Sequence, residues 1–335
     1  MMMRIFESKA QATFVGAAMI ALAAAARPIH AHPGAHHDIE RVTKLLEAQP
    51  DDVERLIERA HFYRLDYQPQ AALADLAHAR KLAPDRPDIP FHVGMVYLDL
   101  ARHADADAEF SIAIKSGLTT SRAHAARARA RTAMKDFELA LADYARAIEI
   151  EPSLELYAER GALHVQLNRL DDAAAGYQEA IKRLGNAPIL SQTLIDVEIR
   201  RGRYDAALTL IDEECNRAAL KADWLLLRAD VLDRVGRIKE AADARATALA
   251  EVNRVLARRQ IGVHLVTRGR ILLAMGRLAE ARCDVELALK KSPNYSAAQI
   301  LLDKLVQTEK ARSSSPAKSV DGPAKHGKED ENANR

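Results

Sequence analysis

Alanine recurs along this chain at a nearly constant interval. Ala72, Ala106, Ala140 and Ala173 follow one another after 34, 34 and 33 residues. Each is followed four residues later by a large side chain (Leu76, Phe110, Tyr144, Tyr177) and three residues after that by a second alanine (Ala79, Ala113, Ala147, Ala180). Each is also preceded by a small residue in an earlier helical stretch: Ala60, Gly94, Ala128 and Gly161. Unrelated amphipathic helices do not hold such a register, so the chain is a repeat array whose unit is a helix–turn–helix hairpin. The small residues at Gly94, Ala106, Gly161 and Ala173 predict that the two helices of a hairpin approach closely, near the short end of the roughly 8–10 Å interaxial range. Tyr97, Phe110, Tyr144 and Tyr177 are expected to fill the gap against the next hairpin. Pro84, Pro152 and Pro293 predict the ends of second helices, because proline cannot continue a helix and biases the residue before it to extended backbone.

Toward the C-terminus the register continues through a Gly-Arg pair ahead of the second helix: Gly202-Arg203 before Ala207, Gly236-Arg237 before Ala241, and Gly276-Arg277 before Ala281. Gly269, Ala281, Ala288 and Pro293 complete the last unit. The fifth unit has Glu214 where the late alanine belongs, and the step from Ala241 to Ala281 is 40 residues, so a helix or loop near 250–262 is lengthened. The 34-residue period with Gly, Tyr, Ala-x3-Phe and Pro in these slots resembles the tetratricopeptide repeat family, although most units lack that family's early Trp. The resemblance implies an all-α, right-handed solenoid of about seven hairpins. The expected organisation is a signal peptide at 1–31 and a His-rich mature N-terminus at 32–38, followed by a repeat array over 39–311. Within the array the repeats fall near 53–86, 87–120, 121–153, 154–187, 188–221, 222–255 and 262–294, with a capping helix at 295–311. Residues 312–335, poor in large hydrophobics, are expected to be a disordered tail.

Aromatics are 4% of the chain, which suits many small helix–helix contacts and disfavours a sheet. With 49 basic and 47 acidic residues the formal charge is +2, and the electrostatic footprint of a general nucleic-acid binder is missing. A weakly basic start with Arg4 and Lys9 precedes the apolar run Phe14–Ala26, and Ile29 and Ala31 supply small-residue cleavage chemistry. This reads as a secretory signal cleaved after Ala31, placing the chain in the periplasm or outside the cell. The run is shorter than the roughly 20 apolar residues a bilayer requires, so membrane association is expected only if the leader stays uncleaved as a tether. Removal of residues 1–31 takes away Arg4, Lys9, Arg27 and Glu7, leaving a formally neutral chain.

No phosphate loop, HExxH, GxSxG or EF-hand spacing occurs, so no catalytic residues and no enzymatic activity are expected. Asp51-Asp52 and Asp171-Asp172 read as charges at helix starts, favourable with the helix dipole. Cys215 and Cys283 form no CxxC and read as small buried hydrophobes. No cofactor is expected apart from copper or nickel at the N-terminus. Cleavage after Ala31 would expose the α-amine of His32, which with His36 and His37 offers Cu(II) or Ni(II) ligands.

In the resembled family the first helix of each unit lines a concave groove where a partner segment lies. Matching those positions gives Ile57, His61 and Arg64 in the first unit, Phe91, Met95 and Leu98 in the second, and Arg122, Ala125 and Arg129 in the third. The fifth and sixth units offer Asp196, Arg200, Asp230, Asp233 and Arg234, and the seventh offers Arg270. A chaperone-type carboxylate clamp is not recognisable. An apolar patch near Phe91 beside Arg122–Arg131 suits an amphipathic, partly acidic protein segment. The expected function is a non-enzymatic, monomeric interaction scaffold outside the cytoplasm, with protein partners and no nucleic acid. The alternative, of a different class, is a metal-handling protein that uses the His-rich terminus and docks through its repeats.

Overall fold

A computed structural model describes residues 34–259 and 261–313. Sixteen α-helices account for the regular structure among these residues, with no strand. In chain order they are α1 (Ala35–Ala48), α2 (Val53–Leu65), α3 (Pro69–Leu82), α4 (Asp88–Asp99), α5 (His103–Lys115), α6 (Ser121–Met134), α7 (Phe137–Ile150) and α8 (Leu154–Gln166). They continue as α9 (Leu170–Leu184), α10 (Pro188–Arg200), α11 (Tyr204–Arg217), α12 (Ala222–Arg234), α13 (Ile238–Arg258), α14 (Gly262–Ala274), α15 (Leu278–Lys291) and α16 (Ser296–Ser313). The chain divides into two compact units at Leu210/Ile211, inside α11. In the first, the hairpins α2/α3, α4/α5, α6/α7 and α8/α9 stack in sequence; in the second, α12/α13 and α14/α15 do. No helix among the described residues is long and apolar enough to cross a membrane.

The alanine register is the core. Ala72, Ala79, Ala106, Ala113, Ala140, Ala147, Ala173, Ala180, Ala241, Ala248, Ala281 and Ala288 are all fully buried. A buried methyl at each of these sites lets helix backbones come close and leaves the remaining space for one large side chain per hairpin. That side chain seats first inside its own hairpin. A Cβ on Gly94 would lie 2.7 Å from the Phe110 ring, and one on Gly161 would overlap the Tyr177 ring outright. The expected contact of these rings with the following hairpin comes second to this. They do join clusters that reach it, Phe110 with Ala123, Ala126 and Ala130 of α6 and Tyr177 with Leu190 and Leu194 of α10, but their glycine seats lie within the unit.

The turn inside each hairpin repeats as well. One left-handed residue sits at Tyr67, Ala101, Lys135, Asn168, Gly202, Gly236 and Gly276, with φ between 56° and 75°. The next residue's amide donates to the carbonyl five positions back, as in Gln68 to Tyr63 (2.8 Å), Arg102 to Tyr97 (2.8 Å) and Arg277 to Leu272 (2.9 Å). This geometry ends the first helix and satisfies its last free carbonyls.

Two further differences from expectation concern boundaries and thiols. The 40-residue step is absorbed by lengthening α13 to 21 residues, with Val252 and Leu256 of its extension buried against Leu265 of α14. Cys215 is buried as expected, whereas Cys283 is exposed on α15. The last helix runs through Ser313, past the expected start of the tail, and the rest of the tail lies outside the described residues, as does the leader.

Candidate functional site

The first helices α2, α4 and α6 lie side by side in the N-terminal unit, and α12 and α14 do so in the C-terminal unit. Ile57 and Phe91 are both core residues, 8% and 5% exposed. Ile57 shares a core cluster with Leu56 and Val93, and the Phe91 ring lies tilted against Phe110 with centroids 5.8 Å apart. Both belong to the packing between helices and offer little accessible surface. Met95 and Leu98 are half-buried on the same helix, and Ala125 is buried.

The charged candidates sort by whether the protein already partners them. Arg64 donates to Asp99 at 2.7 Å across α2 and α4. Arg129 reaches forward to α8, donating to both Glu159 oxygens at 3.0–3.1 Å and to Glu155 at 2.8 Å. Arg270 donates to Asp223 at 2.7 Å. Asp233 pairs with Arg245. Asp230 is pushed up by loss of hydration, against the pull of Arg245, Arg270, Lys304 and Arg234. Asp196 half-buried and Arg200 exposed both lie on α10, and Arg234 is exposed at the end of α12.

Arg122 differs from Arg64, Arg129 and Arg270. It is exposed at the start of α6, its guanidinium lies 5.1 Å above the Phe91 ring, and no carboxylate among the described residues pairs with it. Beside it stand two half-buried histidines. His61 of α2 is lowered by burial and then by Arg64 and Arg122. His92 of α4, which sequence reasoning did not single out, is lowered to about 4, first by burial and then by His61, with Arg122 and Arg64 adding to the effect and Asp88 opposing it. His92 is half-buried where its neighbour Phe91 is core, and the two rings meet edge to face at 5.5 Å.

Sequence reasoning also passed over a clamp that ties the helices of a hairpin together. Arg59 donates through Nε and Nη2 to Asp75 at 2.7 and 2.8 Å, Arg127 to Asp143 at 2.9 and 2.7 Å, and Arg268 to Asp284 at 2.7 and 2.5 Å. Each pair spans 16 residues, and each aspartate is buried. Asp143 also takes Arg131 at 2.8 Å, with the His124 ring 3.3 Å away. These carboxylates hold the scaffold and are not available to a ligand.

At the N-terminal end, α1 starts at Ala35, so His36 and His37 belong to its first turn. His36 lies 3.4 Å from Asp66. Among the described residues no three His, Cys, Asp or Glu side chains are arranged to hold a metal ion, and His32 lies outside those residues.

Residues 121–154, which span α6, α7 and the first residue of α8, match the family model described as a tetratricopeptide repeat. No curated protein matches the sequence. Among solved structures, the chain is similar to a tetratricopeptide repeat protein from Parabacteroides merdae. The two are 20% identical with a TM-score of 0.44, over 76% of this chain and 98% of that one. It is also similar to YrrB, a TPR protein with an unusual peptide-binding site, at 18% identity and a TM-score of 0.44 over 53% of this chain and 92% of that one.

Proposed function

We propose that this chain, a tetratricopeptide-repeat protein, is a non-enzymatic scaffold that holds a segment of a partner protein against the neighbouring first helices of its N-terminal unit. One observation carries the reading. Where Arg64 and Arg129 are tied to carboxylates of the protein itself, Arg122 stands over the Phe91 ring with no carboxylate partner among the described residues. An exposed cation with no partner, next to the half-buried apolar side chains of Met95 and Leu98, fits a mixed polar and apolar segment. The scaffold acts outside the cytoplasm, on the support of the basic start, the apolar run Phe14–Ala26 and the small residue Ala31 before His32.

A photoreactive residue placed at Leu98 or at Arg122 in the full chain tests both parts in its native cell. The expected result is a cross-link to one envelope protein from either position and none from Leu139, exposed on the second helix α7. Mass spectrometry of the captured chain is expected to find His32 at its start. Cross-links from Leu139 alone would overturn the groove assignment, and an intact Met1 with cytoplasmic partners would overturn the location. Copper or nickel binding by His32, His36 and His37 is a separate proposal, supported by the exposure of His36 and His37 at the start of α1. Calorimetric titration of the processed chain with Cu(II) decides it, and no heat at micromolar concentration removes it.

A further inference from the structure

We propose that the cleft between α11, α12 and α13 binds a small zwitterion of the amino-acid class, with its carboxylate on Arg228 and its ammonium on Asp243.

The cleft has a volume of about 560 Å³ and lies wholly within the C-terminal unit. That volume falls in the range of small-molecule sites, roughly 300–1,000 Å³. Its walls include Cys215 and Asn216 of α11, Leu225 and Arg228 of α12, and Asp243 and Ala244 of α13. Arg228 occupies the arginine position of the clamp. In the first, third and seventh units that arginine gives Nε and Nη2 to an aspartate 16 residues on. Sixteen residues after Arg228 stands Ala244 instead, 5% exposed. The guanidinium turns back to α11, where Nε donates to Asp212 at 2.8 Å, and neither Nη nitrogen has a hydrogen-bond partner among the described residues. The fourth unit also lacks the aspartate, but there the guanidinium takes up the space itself. A Cβ on Gly176 would lie 3.5 Å from Arg160 Nη2, and that nitrogen donates to Glu179. In the sixth unit Ala244 and Arg228 face the cleft.

Three carboxylates line the cleft, and two are already held: Asp212 by Arg228, and Glu240 by Arg237 at 2.6 and 2.7 Å. The third, Asp243, is exposed, and no side chain among the described residues pairs with its carboxylate. One cation with two free nitrogens and one free carboxylate thus share a cleft without pairing with each other. A simple anion there would meet Asp243, and a simple cation would meet Arg228. A ligand carrying both charges satisfies each, through charge-assisted hydrogen bonds made where the Arg228 side chain is only 25% exposed. Leu225, half-buried, and Cys215, 8% exposed, offer an apolar wall to the rest of the ligand, and the Asn216 amide offers a donor and an acceptor. The candidate partner-binding residues Asp230 and Arg234 lie about 200° and about 240° further around α12 from Arg228, so the cleft is on the other side of that helix.

The test mixes the full chain with the standard amino acids at millimolar concentration and reads saturation-transfer NMR. At least one amino acid is expected to receive saturation. Its analogues lacking the ammonium or the carboxylate are expected to bind at least about tenfold more weakly, as is the amino acid itself to Arg228→Gln and to Asp243→Asn. Ala244→Asp rebuilds the clamp, and is expected to abolish the transfer while raising the urea midpoint, which separates lost binding from lost fold. Asp243 is exposed, so Asp243→Asn decides the matter even where Ala244→Asp fails to fold. Saturation reaching no amino acid would overturn the proposal, as would transfer undiminished in Asp243→Asn or in a folded Ala244→Asp. A carboxylic-acid analogue binding as tightly as the amino acid would also overturn it, because Asp243 would then hold nothing.

Discussion

Gly161 is kept free of a side chain by the Tyr177 ring lying on it, and Gly94 by Phe110. The first unit solves the same volume problem with Ala60 and Leu76, both buried. The third keeps an alanine, Ala128, because Tyr144 points its hydroxyl toward Thr132 and Glu159 instead. Gly161→Ala is therefore expected to cost about 1–3 kcal/mol from overpacking, measured by urea unfolding, and Tyr177→Leu in the same chain to return part of it. A neutral Gly161→Ala would show that the ring moves freely. Asp143, 4% exposed and holding Arg127 and Arg131, is a second sensitive point. Asp143→Ala strands two half-buried guanidiniums and is expected to cost about 3–5 kcal/mol. Glu280→Ala, which removes an exposed partner of Arg277, should leave the unfolding midpoint where it was. The alanine and aromatic slots were legible in the sequence because they repeat in every early unit. The clamp was hard to see because it repeats in only some: the fourth unit has Gly176 at the aspartate position, the sixth has Ala244, and the second has Val93 at the arginine position.

At the scale of elements, the turns show how a rule can be half visible. Gly202, Gly236 and Gly276 hold the left-handed residue, although in the sequence the Gly-Arg pairs mark only the register ahead of the second helix. The same conformation is imposed on Tyr67, Ala101, Lys135 and Asn168 by the helices on either side, where no glycine signals it. An L-residue there pays roughly 1–2 kcal/mol in local strain, partly offset by glycine's larger unfolded entropy. Ala101→Gly is expected to stabilise the protein by about 0.5–1 kcal/mol in thermal or urea unfolding, and a destabilised variant would refute the strain. The lengthened step before the last unit was equally half legible. Spacing shows that residues were added, but only the burial of Val252 and Leu256 decides that they extend a helix. The proposed contact face on α4 has the same limit. Helical period places Phe91, Met95 and Leu98 on one helix, yet which of them faces the core depends on Phe110 of the neighbouring helix.

Across the whole molecule, two classes of group make stability depend on pH in the same direction. His61, His92 and His164 have depressed values in the folded chain, His92 at about 4, so the unfolded chain binds more protons between there and about 6.5. Glu58, Asp88 and Glu179 are also depressed, each with arginine partners among the causes, so their contribution is lost as pH falls through the carboxylate range. Stability is therefore expected to decline from about pH 6.5 downward, the histidine part first, and His92→Gln to flatten the upper part of that decline in urea midpoints. A midpoint indifferent to pH above about 5 would contradict the burial of His92. The span of 16 residues that joins Arg59 to Asp75 recurs in every unit, but its occupants change one at a time: arginine faces aspartate in the first, third and seventh, Gly176 in the fourth and Ala244 in the sixth, while Leu194 faces Leu210 in the fifth. Where the aspartate is missing the arginine reaches another carboxylate, Glu179 for Arg160 and Asp212 for Arg228. Across descendants of this chain the arginine should accordingly outlast its aspartate, because a long guanidinium arm can anchor elsewhere when its first mate is lost.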